Sequence, residues 1–198
     1  MSNPVDRLAA ADVRETYRAT KADDGVIVRA AGKASELADQ PPLIALSTAT
    51  ILVGAVLRQP VVFRSGVRML ASHLIATGVK TVLKSAIDRT RPARAVKEGY
   101  HLGKGDGADD SSLNSFPSGH TAGAVAVAQA VAVEAPLVAL PLQAAAIGVG
   151  ALQPSRGKHY VSDVIAGAAI GWLAARVTDV AMEYGEEAVE RVIVRWRG

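Results

Sequence analysis

The sequence predicts an all-α fold, a membrane helix bundle of about five spanning helices flanked by amphipathic N- and C-terminal segments. Three observations predict it. Apolar runs of helical length recur between Leu43 and Val180. Gly, Ala, Ser and Thr dominate those runs, as in TAGAVAVAQAVAV and AAAIGVGA, and small residues let helix backbones approach closely in lipid, where no hydrophobic force drives association. No strand-like alternation or hairpin signal competes with helix. The competing reading is a soluble bundle. A span takes roughly 20 apolar residues and several runs fall short of that, while 49% hydrophobic and 21% charged residues stand between the two classes.

The elements follow in order. Residues 5 to 38 alternate charged and small apolar residues, with Leu8, Val13 and Tyr17 at loosely helical spacing, and predict one or two amphipathic surface helices too polar to cross a bilayer. After Pro41 and Pro42 comes a first apolar helix, Leu43 to Leu57, closed by Arg58 and Pro60. A second, Val61 to Leu83, carries Arg64, Arg68, His73 and Lys80, so one side faces something polar or a neighbouring helix. His73 reads as a hydrogen-bonded packing residue. A Gly/Asp-rich loop, Asp88 to Ser115, is expected to be a flexible lid or spacer; its GKGDGADDSS is neither a P-loop nor a calcium loop. Three further helices run from about Ser118 to Val133, Leu137 to Leu152 and Tyr160 to Val180. The tail reads as a separate cytoplasmic amphipathic helix with Val192, Val194 and Trp196 available to the lipid interface. The chain therefore divides into a polar segment 1–40, a helical core 41–179 and a tail 180–198.

Charge orients the bundle. If five helices alternate, Arg58, Arg64, Glu134, Arg176, Arg191, Arg195 and Arg197 share one face, mostly basic and so cytoplasmic. The loop 88–115 and the segment QPSRGKH then lie outside the cytoplasm. The net charge of +3 is modest and no aromatics interleave the basic residues, which argues against nucleic-acid binding. The absence of cysteine removes disulfides, thiolate nucleophiles and cysteine-bound zinc. The N-terminus lacks the apolar core of a secretory signal.

Polar chemistry collects at three helix ends on the outer face. In KSAIDRTRP, Lys84 and Arg91 are seven residues apart, two helical turns, so if the helix continues they share a face and their charges can converge on one anion. Arg91 brings a planar fork suited to phosphate oxygens and Lys84 a compact charge; a basic patch anchoring the helix at headgroups is the simpler alternative. In PSGH, Ser118 is a natural helix N-cap, and Gly119 has no side chain to keep a ligand from the exposed backbone N–H groups. His120 in the first turn is a candidate proton donor once an anion is bound, or else an exposed histidine beside a cap. In SRGKHYVSD, His159 and Asp163 are four residues apart on one helix face. A carboxylate that fixes one imidazole nitrogen leaves the other free to attack, although such a pair is also a common surface contact. Three unrelated surface features would not be expected to collect on one face of an apolar bundle. No metal is required: there is no H-E-x-x-H spacing, and the basic surroundings would repel a cation.

From about residue 41 to 179 the chain resembles the type 2 phosphatidic acid phosphatase superfamily, whose signature is K-x6-R-P, then P-S-G-H, then S-R-x5-H-x3-D. KSAIDRTRP and PSGH match the first two motifs. The third departs: six residues before His159 stands Gln153 rather than arginine, while Ser155 and Arg156 sit three residues further on. The six-helix members also have a helix ahead of the one begun at Leu43, replaced here by the polar segment.

Carried over residue by residue, the resemblance implies that His159 attacks phosphorus to form a phosphohistidine, oriented by Asp163. His120 protonates the leaving oxygen and then activates water. Lys84, Arg91, Ser118, Gly119 and Arg156 hold the phosphoryl oxygens. The expected protein is a metal- and cofactor-free integral-membrane phosphatase of the inner (plasma) membrane, with its site on the extracytoplasmic side. Its expected substrate is a lipid phosphate or diphosphate such as undecaprenyl diphosphate, phosphatidic acid or phosphatidylglycerol phosphate. The alternatives are a soluble acid phosphatase or vanadate haloperoxidase-like enzyme, and a membrane protein that binds lipid phosphate but turns over little.

Overall fold

The computed structural model describes residues 4–21, 25–107 and 110–197, with the side chains of 4–8, 21, 26, 27, 29 and 189–197 outside that description. Eight helices run along the described chain: α1 Pro4–Lys21, α2 Val26–Ser35, α3 Gln40–Val56, α4 Pro60–Ala86, α5 Pro92–Glu98, α6 Gly119–Glu134, α7 Pro136–Ser155 and α8 Val161–Arg197. The five apolar runs become α3, α4, α6, α7 and α8. The polar N-terminal segment becomes the two expected helices, joined to α3 by a 3-10 turn at Glu36–Ala38.

Several boundaries differ from the sequence expectation. Pro41 and Pro42 lie within the first turn of α3, behind an Asp39 cap whose side chain accepts from the N–H of Gln40 at 3.1 Å. The first-turn N–H groups have no intrahelical partner, so proline costs nothing there. The tail is no separate helix, because α8 continues unbroken from Val161 to Arg197 with no Gly-Pro break to stop it. The side chains of Val192, Val194 and Trp196 lie outside the described residues.

The loop 88–115 is partly ordered by strand pairing that the sequence did not announce. Strand β1 (Ile87–Arg89) pairs antiparallel with β2 (Leu102–Lys104), with α5 between them. Three-residue strands are too short for alternation to register. The backbone of Arg89 is also pinned from its other side: its N–H donates to Leu113 O at 2.7 Å, and its carbonyl accepts from the N–H of Ser115 at 3.1 Å.

Small residues set the helix spacing. A Cβ built on Gly167 or Gly171 of α8 would stand 2.5 Å from the carbonyl oxygen of Ser118 or 2.4 Å from that of Ala122, so α6 and α8 touch backbone to backbone. Gly54 and Gly66 do the same for α3 and α4. Outward, Leu46, Leu52 and Val56 of α3, Leu137, Leu140 and Ile147 of α7 and Trp172, Leu173 and Val177 of α8 are exposed. That much apolar surface suits lipid better than water. Among the described residues, two helices rather than five are long and apolar enough to cross a membrane by themselves: α7 and the Val161–Ala188 section of α8. Helix α3, with 17 residues, and α6, with 16, are shorter, and α4 carries five basic or imidazole side chains along its length.

Two interior findings bear on charge. His73 is buried, but neither ring nitrogen has a hydrogen-bond partner among the described residues, contrary to the expected hydrogen-bonded packing role. Its ring fits against Gly123, where a Cβ would come within 3.2 Å, so close apolar packing holds it. At the end of the bundle away from the three motifs, Arg64 and Arg68 both meet Glu134 at 2.9 Å, and Arg68 also meets Asp179. Arg64 further pairs with Glu186 at 2.7 Å. The face read as mostly basic therefore carries its own counter-charges.

Candidate active site

The end of α4, the loop that follows it, the start of α6 and the α7–α8 turn meet at one end of the bundle. Helix α4 supplies Lys84 in its last turn, where the ammonium donates to the carbonyl of Asn114. Arg91 stands at the N-cap of α5, with Nε donating to Ser111 O at 2.8 Å. The short turn between α7 and α8 presents His159, and Asp163 lies in the first turn of α8.

The imidazole of His159 is buried and held in one tautomer. Its Nδ1 lies 2.6 Å from the carbonyl oxygen of Ser115, an acceptor only, so Nδ1 carries the proton and Nε2 keeps its lone pair. The nearest Asp163 oxygen is 3.8 Å from Nδ1, too far for a hydrogen bond. Asp163 instead accepts from the Ser115 hydroxyl at 2.6 Å and the Tyr160 N–H at 2.8 Å, so it fixes the segment that fixes the ring. Burial lowers the basicity of His159, the Asp163 carboxylate opposes that, and the cations of Arg91 and Lys84 add to the lowering. The imidazole is therefore neutral at pH 7.

Asp163 is fully buried and its charge is met by Arg89, whose Nη1 donates to Oδ1 at 2.5 Å. Arg89 is 5% exposed, lies 4.1 Å from the Tyr160 ring centroid, and also reaches Asp12 of α1 at 2.7 Å.

Ser118 occupies the N-cap position of α6, but its hydroxyl pairs with Thr121 Oγ1 at 2.9 Å and is buried. Its N–H donates to the carbonyl of Asp163 at 3.0 Å, which locks α6 to α8. Gly119 is where Lys80 crosses: a Cβ there would stand 2.9 Å from Lys80 Cδ and 3.6 Å from Nζ. His120 has a buried Nε2 with no hydrogen-bond partner among the described residues. Glu36 and Asp39 each place a carboxylate oxygen, and His120 a ring nitrogen, within 4.8 Å of one another. The charges of Lys158 and His159 also bear on His120.

Arg156 is drawn toward the N-terminal segment. It donates to Ser35 Oγ at 2.8 Å and Glu36 Oε1 at 2.7 Å, and Lys158 meets the same oxygen at 3.0 Å. Arg156 and then Lys158 hold the Glu36 carboxyl well down, at about 2. Gln153 is buried, with its amide donating to Val149 O at 2.9 Å.

The structure thus gathers His159, Asp163, Lys84, Arg91, Ser118, Gly119 and His120 at one end, with Arg156 beside them in an ion pair. Sequence reasoning passed over Arg89, Ser115, Lys80, Glu36 and Asp12. Lys80 had a signal, one helical turn before Lys84, and so had Arg89, two residues before Arg91. Asp12 had none, since it meets Ser162 across 150 residues of chain.

Residues 65–185, more than half of the chain, match the PAP2 superfamily. The chain belongs to the PAP2 superfamily. Two solved PAP2-like bundles superpose on it. Aquifex aeolicus LpxE is 18% identical, with a TM-score of 0.63 over 83% of this chain and 92% of that one. A transmembrane PAP2-type phosphatidylglycerolphosphate phosphatase from Bacillus subtilis is 20% identical, with a TM-score of 0.64 over 90% of this chain and 87% of that one. At such identities the likeness speaks for the fold. No curated protein matches the PAP2 chain in sequence.

Proposed function

We propose that this PAP2 protein is an integral-membrane phosphatase that hydrolyses a lipid phosphate or diphosphate through a phosphohistidine on His159. One observation carries the reading: Nδ1 of His159 is tied to a carbonyl, which leaves Nε2 as a neutral nucleophile in the field of Lys84 and Arg91. The Nε2 lone pair attacks phosphorus, the bond from phosphorus to the leaving oxygen breaks, and that oxygen takes a proton from His120. Water then attacks phosphorus and gives a proton to His120, while the P–N pair returns to Nε2. Lys84, Arg91 and the N–H groups at the start of α6 stabilise the charge on the transferring group. Burial lowers the basicity of His120, Asp39 and Glu36 oppose that while Lys158 and His159 add to it, so the anionic substrate itself supplies the charge that favours a proton there.

The outward apolar surface of α3, α7 and α8 supports a lipid substrate, as do the lipid phosphatase named among the structural relatives and the spanning lengths of α7 and α8. Arg58 in the α3–α4 turn, at the end opposite the site, supports placement in the plasma membrane with the site on the extracytoplasmic side. Purified protein in detergent with EDTA should release phosphate from at least one of short-chain phosphatidic acid, phosphatidylglycerol phosphate and an isoprenyl diphosphate. It should also yield an acid-labile phosphoprotein that His159→Gln lacks. Release without any such adduct would overturn the covalent route; no release from the whole panel would overturn the activity.

A further inference from the structure

Helix α1 is amphipathic and lies outside the segment matching the PAP2 superfamily, yet one of its carboxylates is built into the site. Asp12 Oδ2 accepts from Arg89 Nη2 at 2.7 Å and from the Ser162 hydroxyl, and Oδ1 accepts from the Ser162 N–H at 3.1 Å. Ser162 directly precedes Asp163 in the first turn of α8, so Asp12 is an anion capping the N-terminus of that helix from another element. Arg89 spans the gap, with Nη1 on both Ser162 Oγ at 2.7 Å and Asp163 Oδ1.

We propose that Asp12 and Arg89 are positioning residues for phosphoryl transfer: Asp12 holds Arg89, Arg89 holds Asp163, and the three together place a net negative charge behind the His159 ring. This rests on His159 being the nucleophile.

The charge count makes Asp12 necessary. Arg89 alone would cancel Asp163; with Asp12 added, two carboxylates face one guanidinium and one negative charge is left over. As Nε2 gives its lone pair to phosphorus, the ring becomes cationic while Nδ1–H still donates to Ser115 O. A surplus negative charge behind the ring stabilises that state, in a buried setting where charges interact more strongly than in water. The other charged groups bearing on His159 are cationic or titratable: Lys84 from the last turn of α4, Arg91 from the α4–α6 connection and His120 from α6. Asp163 is the one carboxylate among the described residues within 4 Å of the ring, so its field is the one Asp12 protects from Arg89.

The test uses the full chain in detergent, with Asp12→Asn, Asp12→Glu and Arg89→Lys beside the parent. Histidine-labelled protein gives the titration of the His159 ring by NMR, assigned by its loss in His159→Gln. Asp12→Asn should move that titration down by roughly half a pH unit and lower kcat up to about threefold, with KM changed less than about twofold because Asp12 does not touch substrate. Asp12→Glu should restore both. Arg89→Lys should restore neither, since an ammonium cannot fork between two carboxylates and a hydroxyl. An unmoved titration with unchanged kcat in Asp12→Asn would overturn the proposal. So would loss of thermal stability in Asp12→Asn and Asp12→Glu alike, with the titration in place, which would make α1 a packing element only. If the parent releases no phosphate, the functional reading fails, while the His159 titration still decides this one.

Discussion

The ring of His159 takes its orientation from the carbonyl of Ser115, 2.6 Å from Nδ1, while Asp163 hydrogen-bonds to the Ser115 hydroxyl and the Tyr160 N–H and acts on the ring by its field. Ser115→Ala keeps the carbonyl and removes the hydroxyl that Asp163 accepts. Steady-state kinetics should show kcat lower by about tenfold with little change in KM, and a stability loss of about 1–3 kcal/mol in a denaturation series. Unchanged kcat would mean that Asp163 does not act through this segment.

The pH dependence follows from the lowered basicity of His159. As the proposed nucleophile, the imidazole must be unprotonated to attack, and burial first, then Arg91 and Lys84, keep it unprotonated below the ordinary value of 6.5. The acid limb of kcat/KM should therefore lie below pH 6.5. Stability runs the same way: the unfolded chain takes up this proton near 6.5 and the folded chain only at lower pH, so acidification below 6.5 disfavours folding. An acid limb above 6.5 would remove His159 as the group being titrated.

Arg91→Ala should slow turnover about a hundred- to a thousandfold, the usual cost of a lost donor to a developing oxyanion. Arg91→Lys should recover only part of it, for want of a planar fork. Full recovery with lysine would reduce Arg91 to a point charge.

Arg156→Ala should reduce turnover far more than Lys158→Ala if the shifted arginine serves the phosphate; equal, near-normal rates would confine Arg156 to its pair with Glu36. That pair is itself pH-dependent. The Glu36 carboxyl, held at about 2 against an ordinary 4.5, supports folding fully above about 4.5 and loses that support as pH falls toward 2. In Glu36→Gln, acid-induced loosening of the N-terminal segment, read by limited proteolysis, should no longer depend on pH in that window.

At the opposite end, Arg68 is 3% exposed between Glu134 and Asp179. Arg68→Leu removes the buried cation that Glu134 and Asp179 share and leaves them only Arg64 and Arg176, so it should destabilise in thermal or denaturant unfolding by less than the roughly 3–5 kcal/mol of a fully uncompensated buried charge. The chemistry lies at the other end, so the folded fraction should keep its KM. A neutral result would mean that water already reaches this network.

What the sequence determined by itself was local. Helical periodicity placed α3, α4, α6, α7 and the start of α8 to within a few residues, because each pattern repeats over many turns, but it stopped α8 near Val180 where the helix runs on to Arg197. PSGH and the His159–Asp163 spacing marked candidate residues because each is a short-range arrangement at one helix start, whereas Lys84 and Arg91 do not share a helix: α4 ends at Ala86, and a strand leads to Arg91 at the N-cap of α5. Tertiary structure decided what depends on distant partners. It tied His159 to a main-chain carbonyl of Ser115, which no side-chain motif can encode, and turned Arg156 toward Glu36. It brought Asp12 across 150 residues to Ser162 and across 77 to Arg89. Buried charges need counter-charges wherever the fold can supply them, and that choice is made by packing, after the helices have formed.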